Sequence, residues 1–253
     1  MPDLTRKQFV KICTQAIFNT RSKITINNQK SGYQKFHWEI KENDYFYAKA
    51  RPALKGNKDP VFLHDAIEHI GLGNCNELAD YLLVEIGKEI NNFNNSNNNN
   101  NNNNDNAIAK MSIIRSKKVD HVYVEIFIQL ADEKHPSLWE VDAWDPRIID
   151  VSRRPDGSIK NVEALDYGYE VKVRASFSSD KIDYHKEYSF FNVSKPKPGC
   201  STGNCTPERE ILRKHRDLYS DYTIEEAVKK KKLDPDGEIH YLQKASDWQC
   251  KKS

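Results

Sequence analysis

The stretch from His121 to Leu130 leaves the chain the least freedom. Val122, Val124, Ile126, Ile128 and Leu130 alternate with His121, Tyr123, Glu125, Phe127 and Gln129. A period of two puts one set on each face of a β-strand, with the aliphatic set turned to a core. A loop containing His135-Pro136 follows, then Leu138-Trp139-Glu140-Val141-Asp142-Ala143-Trp144 as a returning strand. Asp145-Pro146 ends it, because proline leaves no donor for a ladder. Two strands so close in sequence pair antiparallel, which brings the beginning of the first near the end of the second.

The other strong local signal lies upstream. Asn74 is a good helix N-cap, and Glu77 stands three residues on, as a capping box requires. Apolar residues then recur at Leu78, Ala79, Leu82, Leu83, Ile86 and Ile90. The spacing predicts a buried helix with Cys75 in its first turn. Another helix is predicted over residues 4–18 from Leu4, Phe9, Ile12, Cys13, Ala16 and Ile17, with Cys13 as plain core. A short helix is expected at His64–Ile70, strands or a strand and turn within 33–50, and strands around Tyr169–Phe177 and Tyr184–Val193. A helix over Pro207–Tyr219, capped by Thr206, and another over Thr223–Lys231 complete the reading. Helices with strands adjacent in sequence argue for an α+β fold, an antiparallel sheet packed against the Cys75 helix.

Residues 91–106 are asparagine except at Phe93, Ser96 and Asp105. Such a tract carries too little apolar surface to offset its ordering entropy, so a disordered surface insertion is expected there. The organisation read from the chain is a domain over 1–194 that contains this insertion, and a loop-and-helix extension over 195–253.

Composition narrows the function classes. The 39 basic and 37 acidic residues give a net charge of +2, which offers no case for a nucleic-acid partner. Lys229–Lys232 reads as a solvated helix face. No apolar run is long enough to span a bilayer, and Met1 to Thr20 reads as an amphipathic helix, not a cleaved signal peptide. The five cysteines are an odd number and widely spread, which suits a reducing compartment with a free thiol. A cytosolic location, the cell's own or a host's, is therefore expected.

The chemistry-bearing residues follow from this layout. A helix start stabilises negative charge, so Cys75 has the position of a nucleophilic thiolate. The same backbone N–H groups suit an oxyanion, and Gly73 gives a substrate room to approach the backbone. His121 begins the strand expected to pack on that helix and is the candidate base. Asp142, near the end of the returning strand, is the candidate for orienting the imidazole. Asp145 is its rival, because the register across 131–137 is open. Trp139 reads as core and Glu125 as a cross-strand partner.

Three segments then carry a resemblance. Gly73-Asn74-Cys75-Asn76-Glu77-Leu78-Ala79 resembles the glycine-x-cysteine helix start of transglutaminase-like enzymes, a superfamily related to papain. His121-Val122-Tyr123-Val124-Glu125-Ile126 resembles their His-x-aromatic-x-Glu strand, and Trp139-Glu140-Val141-Asp142 their Trp-x-x-Asp strand. The match covers about residues 71–146, under a third of the chain, in the family's order. It implies a Cys75–His121–Asp142 triad acting on an amide or acyl centre of a protein, with no cofactor. The asparagine tract and the loop between the strands depart from the family's usual connections. Together with unmatched flanks they are similar to bacterial effector enzymes of the superfamily, which act on host proteins. Deamidation, crosslinking and proteolysis share this chemistry. A non-catalytic binding module that keeps the fold, or an enzyme whose site a host protein completes, are the alternatives.

Rival sites are weaker. Gly203-Asn204-Cys205 repeats the tripeptide, but no alternating strand headed by histidine follows it. Cys200 and Cys205 with His185 or His215 lack an evident fourth zinc ligand. Asp234-Pro235-Asp236-Gly237 reads as a turn, short of the ligands of a calcium loop.

Overall fold

The computed structural model describes residues 4–26, 51–52, 54–98, 106–116, 121–152, 171–190, 224–230 and 233. It is an α+β fold built on one five-stranded antiparallel sheet. The helices whose bounds are described include α1 (Arg6–Lys23), α2 (Pro60–Ile70), α3 (Cys75–Asn98) and α4 (Ile224–Lys229). The strands are β1 (Thr25–Ile26), β2 (Leu72–Gly73), β3 (Ala109–Ser116), β4 (His121–Ile128), β5 (Ser137–Asp142), β6 (Arg147–Asp150) and β7 (Val171–Ser178). The large sheet runs β6-β5-β4-β3-β7, and β1 pairs with β2 in a separate parallel pair.

α1 starts with a capping box: the Thr5 N–H donates to Gln8 Oε1 at 2.9 Å, and the Thr5 hydroxyl accepts from the Gln8 N–H. Its stripe of Phe9, Cys13, Ala16 and Ile17 is fully buried. α2 opens with Asp59 as cap and Pro60 in its first turn, and closes on Gly71, whose φ of 71° is the left-handed conformation a helix C-terminus commonly takes. β2 follows at once and pairs Leu72 with Thr25 and Gly73 with Ile26, which fixes the point at which α3 can begin.

α3 is the central helix and packs on α1, α2, β3 and β4. Leu78, Leu82, Leu83, Ile86 and Ile90 share one core with Met111 and Ile113 of β3, the aliphatic face of β4, Trp139 and Val141 of β5, and Ile148 of β6. Ala227 and Leu233, in the region read as an extension, are buried in that same core.

Three expectations change. Asn91–Asn98 is helix, the last turns of α3, and not a disordered insertion. Phe93 packs on the core, and the Asn94 side chain gives Ala107 both bonds of a backbone bridge, Nδ2 to the carbonyl and Oδ1 from the N–H, each 2.9 Å. The core ties one end of the tract down before composition can decide; residues 99–105 lie outside the described set. The strand expected at Tyr184–Val193 is absent over 184–190. Tyr188 and Phe190 there stack edge-on against Phe62 of α2. β3 and β6 were not anticipated. The strands expected within 33–50, the helix expected at Pro207–Tyr219 and the rival Gly203-Asn204-Cys205 lie outside the described residues. Among the described residues, no helix is long and apolar enough to cross a membrane.

Candidate active site

The local sequence around Cys75 explains its placement. Asn74 Oδ1 accepts the Asn76 N–H at 3.0 Å, an N-cap bond to the second helical residue, and Glu77 Oε2 accepts the Asn74 N–H at 3.2 Å, the return bond of a capping box. The cap puts Cys75 at the first position of α3, partly buried and with a free thiol. Gly73 is needed for a different reason from substrate approach. A Cβ there would lie 2.7 Å from Glu77 Cβ and 3.2 Å from both Ile24 and Leu78, so the protein's own packing forbids a side chain.

β4 and β5 pair Val124 with Val141 and Glu125 with Glu140. One step further along the ladder sets Asp142 level with Tyr123, and His121 reaches it diagonally. His121 Nε2 lies 2.6 Å from Asp142 Oδ2, and both side chains are buried. The Cys75 side chain lies near enough to the imidazole to help hold its proton. With Nε2 on the carboxylate, Nδ1 is the ring nitrogen left for sulfur. Asp145, the rival, instead binds Arg147 Nη1 at 2.7 Å.

Asp142 is fully engaged. Its Oδ1 accepts the backbone N–H of Trp144 at 2.8 Å and of Asp145 at 3.2 Å, and Oδ2 also faces Arg147 Nη2 at 3.3 Å. Burial works to raise this carboxyl, but His121, Arg147 and the Trp144 N–H together hold it below the ordinary carboxylate range. Burial also works against the imidazolium of His121. The Asp142 charge and hydrogen bond, with the Cys75 thiol, outweigh it and push His121 up to about 10. The described groups thus favour a charged imidazole between the Asp142 carboxylate and the Cys75 sulfur.

Sequence reasoning missed several supporting groups. Arg21 of α1 donates to the carbonyls of Ala143 at 3.0 Å and Trp144 at 3.3 Å, pinning the turn after Asp142. The Trp144 ring lies 5.3 Å from the His121 ring and forms a wall beside it. Arg147 follows Pro146 at the start of a strand that was not expected. Only contact across the fold links these groups, so no local pattern announces them. Cys13, by contrast, is the core residue its stripe implied, with burial pushing its thiol up. Among the described residues no cluster of three or more His, Cys, Asp or Glu side chains could hold a metal ion. The suggested zinc ligands Cys200, Cys205 and His215, and the Asp234–Gly237 turn, lie outside the described residues.

No protein-family model, curated protein or solved structure matches this chain.

Proposed function

We propose that the protein is a thiol acyl-transfer enzyme of the transglutaminase-like and papain-like type. Cys75 is the nucleophile, His121 the base and Asp142 the group that orients the base. The observation that carries this reading is His121 itself, held by Asp142 through Nε2 and close enough to Cys75, at a helix start, for the sulfur to raise its pKa. A nucleophile, a base within reach and a third group behind the base are the geometric requirements of the chemistry.

The substrate class we favour is the glutamine carboxamide of a protein, the resemblance in three segments supplying that preference. In the thiolate–imidazolium pair the thiol proton already rests on His121 Nδ1, and the thiolate sulfur forms a bond to the amide carbon. The carbonyl electrons move to oxygen, where backbone N–H groups in the first turn of α3 are the donors at hand. The C–N bond then breaks, and the imidazolium gives its proton to the departing ammonia. Water or a primary amine, deprotonated by His121, attacks the thioester and releases the thiol, leaving a carboxylate or a new amide. A reducing cytosol, the cell's own or a host's, keeps such a thiol free, and a host protein is the substrate expected if the chain is an effector.

The test uses a glutamine-rich protein such as casein, with and without a labelled primary amine. Wild-type protein is expected to release ammonia or incorporate the amine, and Cys75→Ser to do neither. Cleavage of the backbone by wild type alone replaces the glutamine assignment with proteolysis. Equal signals from wild type and Cys75→Ser would mean Cys75 is not the nucleophile.

A further inference from the structure

One row along the sheet from Asp142, two carboxyl groups face each other. Glu125 of β4 is the direct cross-strand partner of Glu140 of β5. Side chains so placed have Cβ atoms about 5 Å apart, and like charges there repel. The pair points to the same face as His121 and Asp142, since alternate residues of a strand share a face. At Glu140 that face is closed to solvent: Glu140 is 8% exposed, and its Oε2 is buried without a hydrogen-bond partner. An ionised oxygen in that position lacks the donors that would repay its desolvation, whereas a neutral carboxylic acid needs far less.

The charged and titratable groups that face Glu140 come from each strand beside it. β4 supplies Glu125, His121 and Tyr123, β6 supplies Arg147, and Asp142 lies two residues on in its own strand. Arg147 is already committed to Asp142 and Asp145, so it is not a dedicated counter-ion for Glu140. Tyr123 is itself pushed up by burial and by the two glutamates.

We propose that Glu125 and Glu140 hold one proton between them under acid conditions and that its loss places a second negative charge near His121, keeping the imidazole protonated and setting the alkaline limit of the thiol site. The proton goes to solvent; no other group changes. Glu140 is in this account a positioning residue that acts through His121, and the inference rests on the thiol-enzyme reading above. Burial first, then Glu125 and Asp142, push Glu140 up to about 7, against Arg147 and His121. The coupling runs both ways: an imidazolium that favours the Glu140 anion is favoured by it to the same degree.

The experiment follows the His121 imidazole by NMR against pH in the full chain, with iodoacetamide alkylation of Cys75 measured in parallel. Wild type, Glu140→Gln, Glu125→Gln and Glu140→Asp are compared. Either glutamine removes one of the two negative charges present above neutral pH. The His121 midpoint is therefore expected to fall by about one pH unit in both, and to return in Glu140→Asp. The alkaline limb of the alkylation profile moves with it. Two variants at different positions guard against one that fails to fold. An unchanged His121 midpoint in both glutamine variants overturns the role of the pair while leaving the thiol reading intact. An ordinary His121 midpoint in wild type, with Cys75 no more reactive than Cys13, overturns both.

Discussion

If the protein is the thiol enzyme proposed, Asp142→Asn is expected to lower its turnover by about a thousandfold or more, with little loss of folding cooperativity. The reason is the orientation that the amide must adopt. The Trp144 and Asp145 N–H groups both point at Oδ1, so the one carbonyl oxygen of asparagine has to stay there. The amide nitrogen then occupies the place of Oδ2, facing His121 Nε2 and Arg147 Nη2. Facing a donor, Nε2 has to be the unprotonated nitrogen of the ring. The ring proton moves to Nδ1, the side turned to Cys75, and the imidazole can no longer accept the thiol proton. Where a triad carboxylate fixes the tautomer of its histidine, this substitution costs about 10⁴ in turnover. Asp142→Ala is worse for folding. It leaves His121 and Arg147 without their shared partner, and breaking a buried pair costs about 3–5 kcal/mol. Steady-state rates with urea denaturation of the same samples separate the two effects.

Trp139→Ala destabilises the protein by about 3–5 kcal/mol. Trp139 is fully buried on β5 and is the meeting point of sheet and first helix. Its ring packs edge-on to Phe9 of α1 at 5.2 Å, and the Arg6 guanidinium sits 4.4 Å above it. The indole N–H donates to Ser137 Oγ at 2.8 Å, so truncation also removes one of the two bonds of that hydroxyl, which keeps its donor bond to the Ile128 carbonyl at 3.4 Å. Arg6 adds ion pairs to Glu133 at 2.7 Å and Asp150 at 2.6 Å that depend on α1 staying docked. The expected signature is a lower urea midpoint with unchanged slope. Cys13, buried on the same face of α1 as Phe9, serves as a reporter: its alkylation rate rises in the variant.

Each element was legible to the degree that local chemistry, not distant contact, determines it. β4 could be read because its aliphatic residues occupy one face only. The start of α3 could be read because Asn74 caps the Asn76 N–H and Glu77 reaches back to the Asn74 N–H. The antiparallel return of β5 then made Asp142 reachable from His121. β3 was not legible. Ile113 and Ile114 are adjacent and both buried, and the pairing with β7 shifts register between them, so no simple period survives. β6 was hidden by Pro146, which ends one strand and leaves Arg147 free to open the next. The asparagine tract misled because composition averages over residues that a single Phe93 and one Asn94 side chain anchor. Glu125 was legible as a cross-strand partner, but only the assembled fold shows that the residue opposite is Glu140 and that Glu140 is buried.

The most direct test of the Cys75–His121–Asp142 arrangement is the alkylation rate of each cysteine by iodoacetamide from pH 5 to 8, read by peptide mass spectrometry in wild type and His121→Ala. At pH 6 an ordinary cysteine thiol is only about 0.3% ionised. A thiolate held by an imidazolium is nearly all ionised but intrinsically less nucleophilic, which leaves a net advantage of about tenfold. The account predicts that advantage for Cys75 over the other cysteines below pH 7, and its loss in His121→Ala. A Cys75 that reacts no faster than its neighbours, or as fast without His121 as with it, contradicts the account.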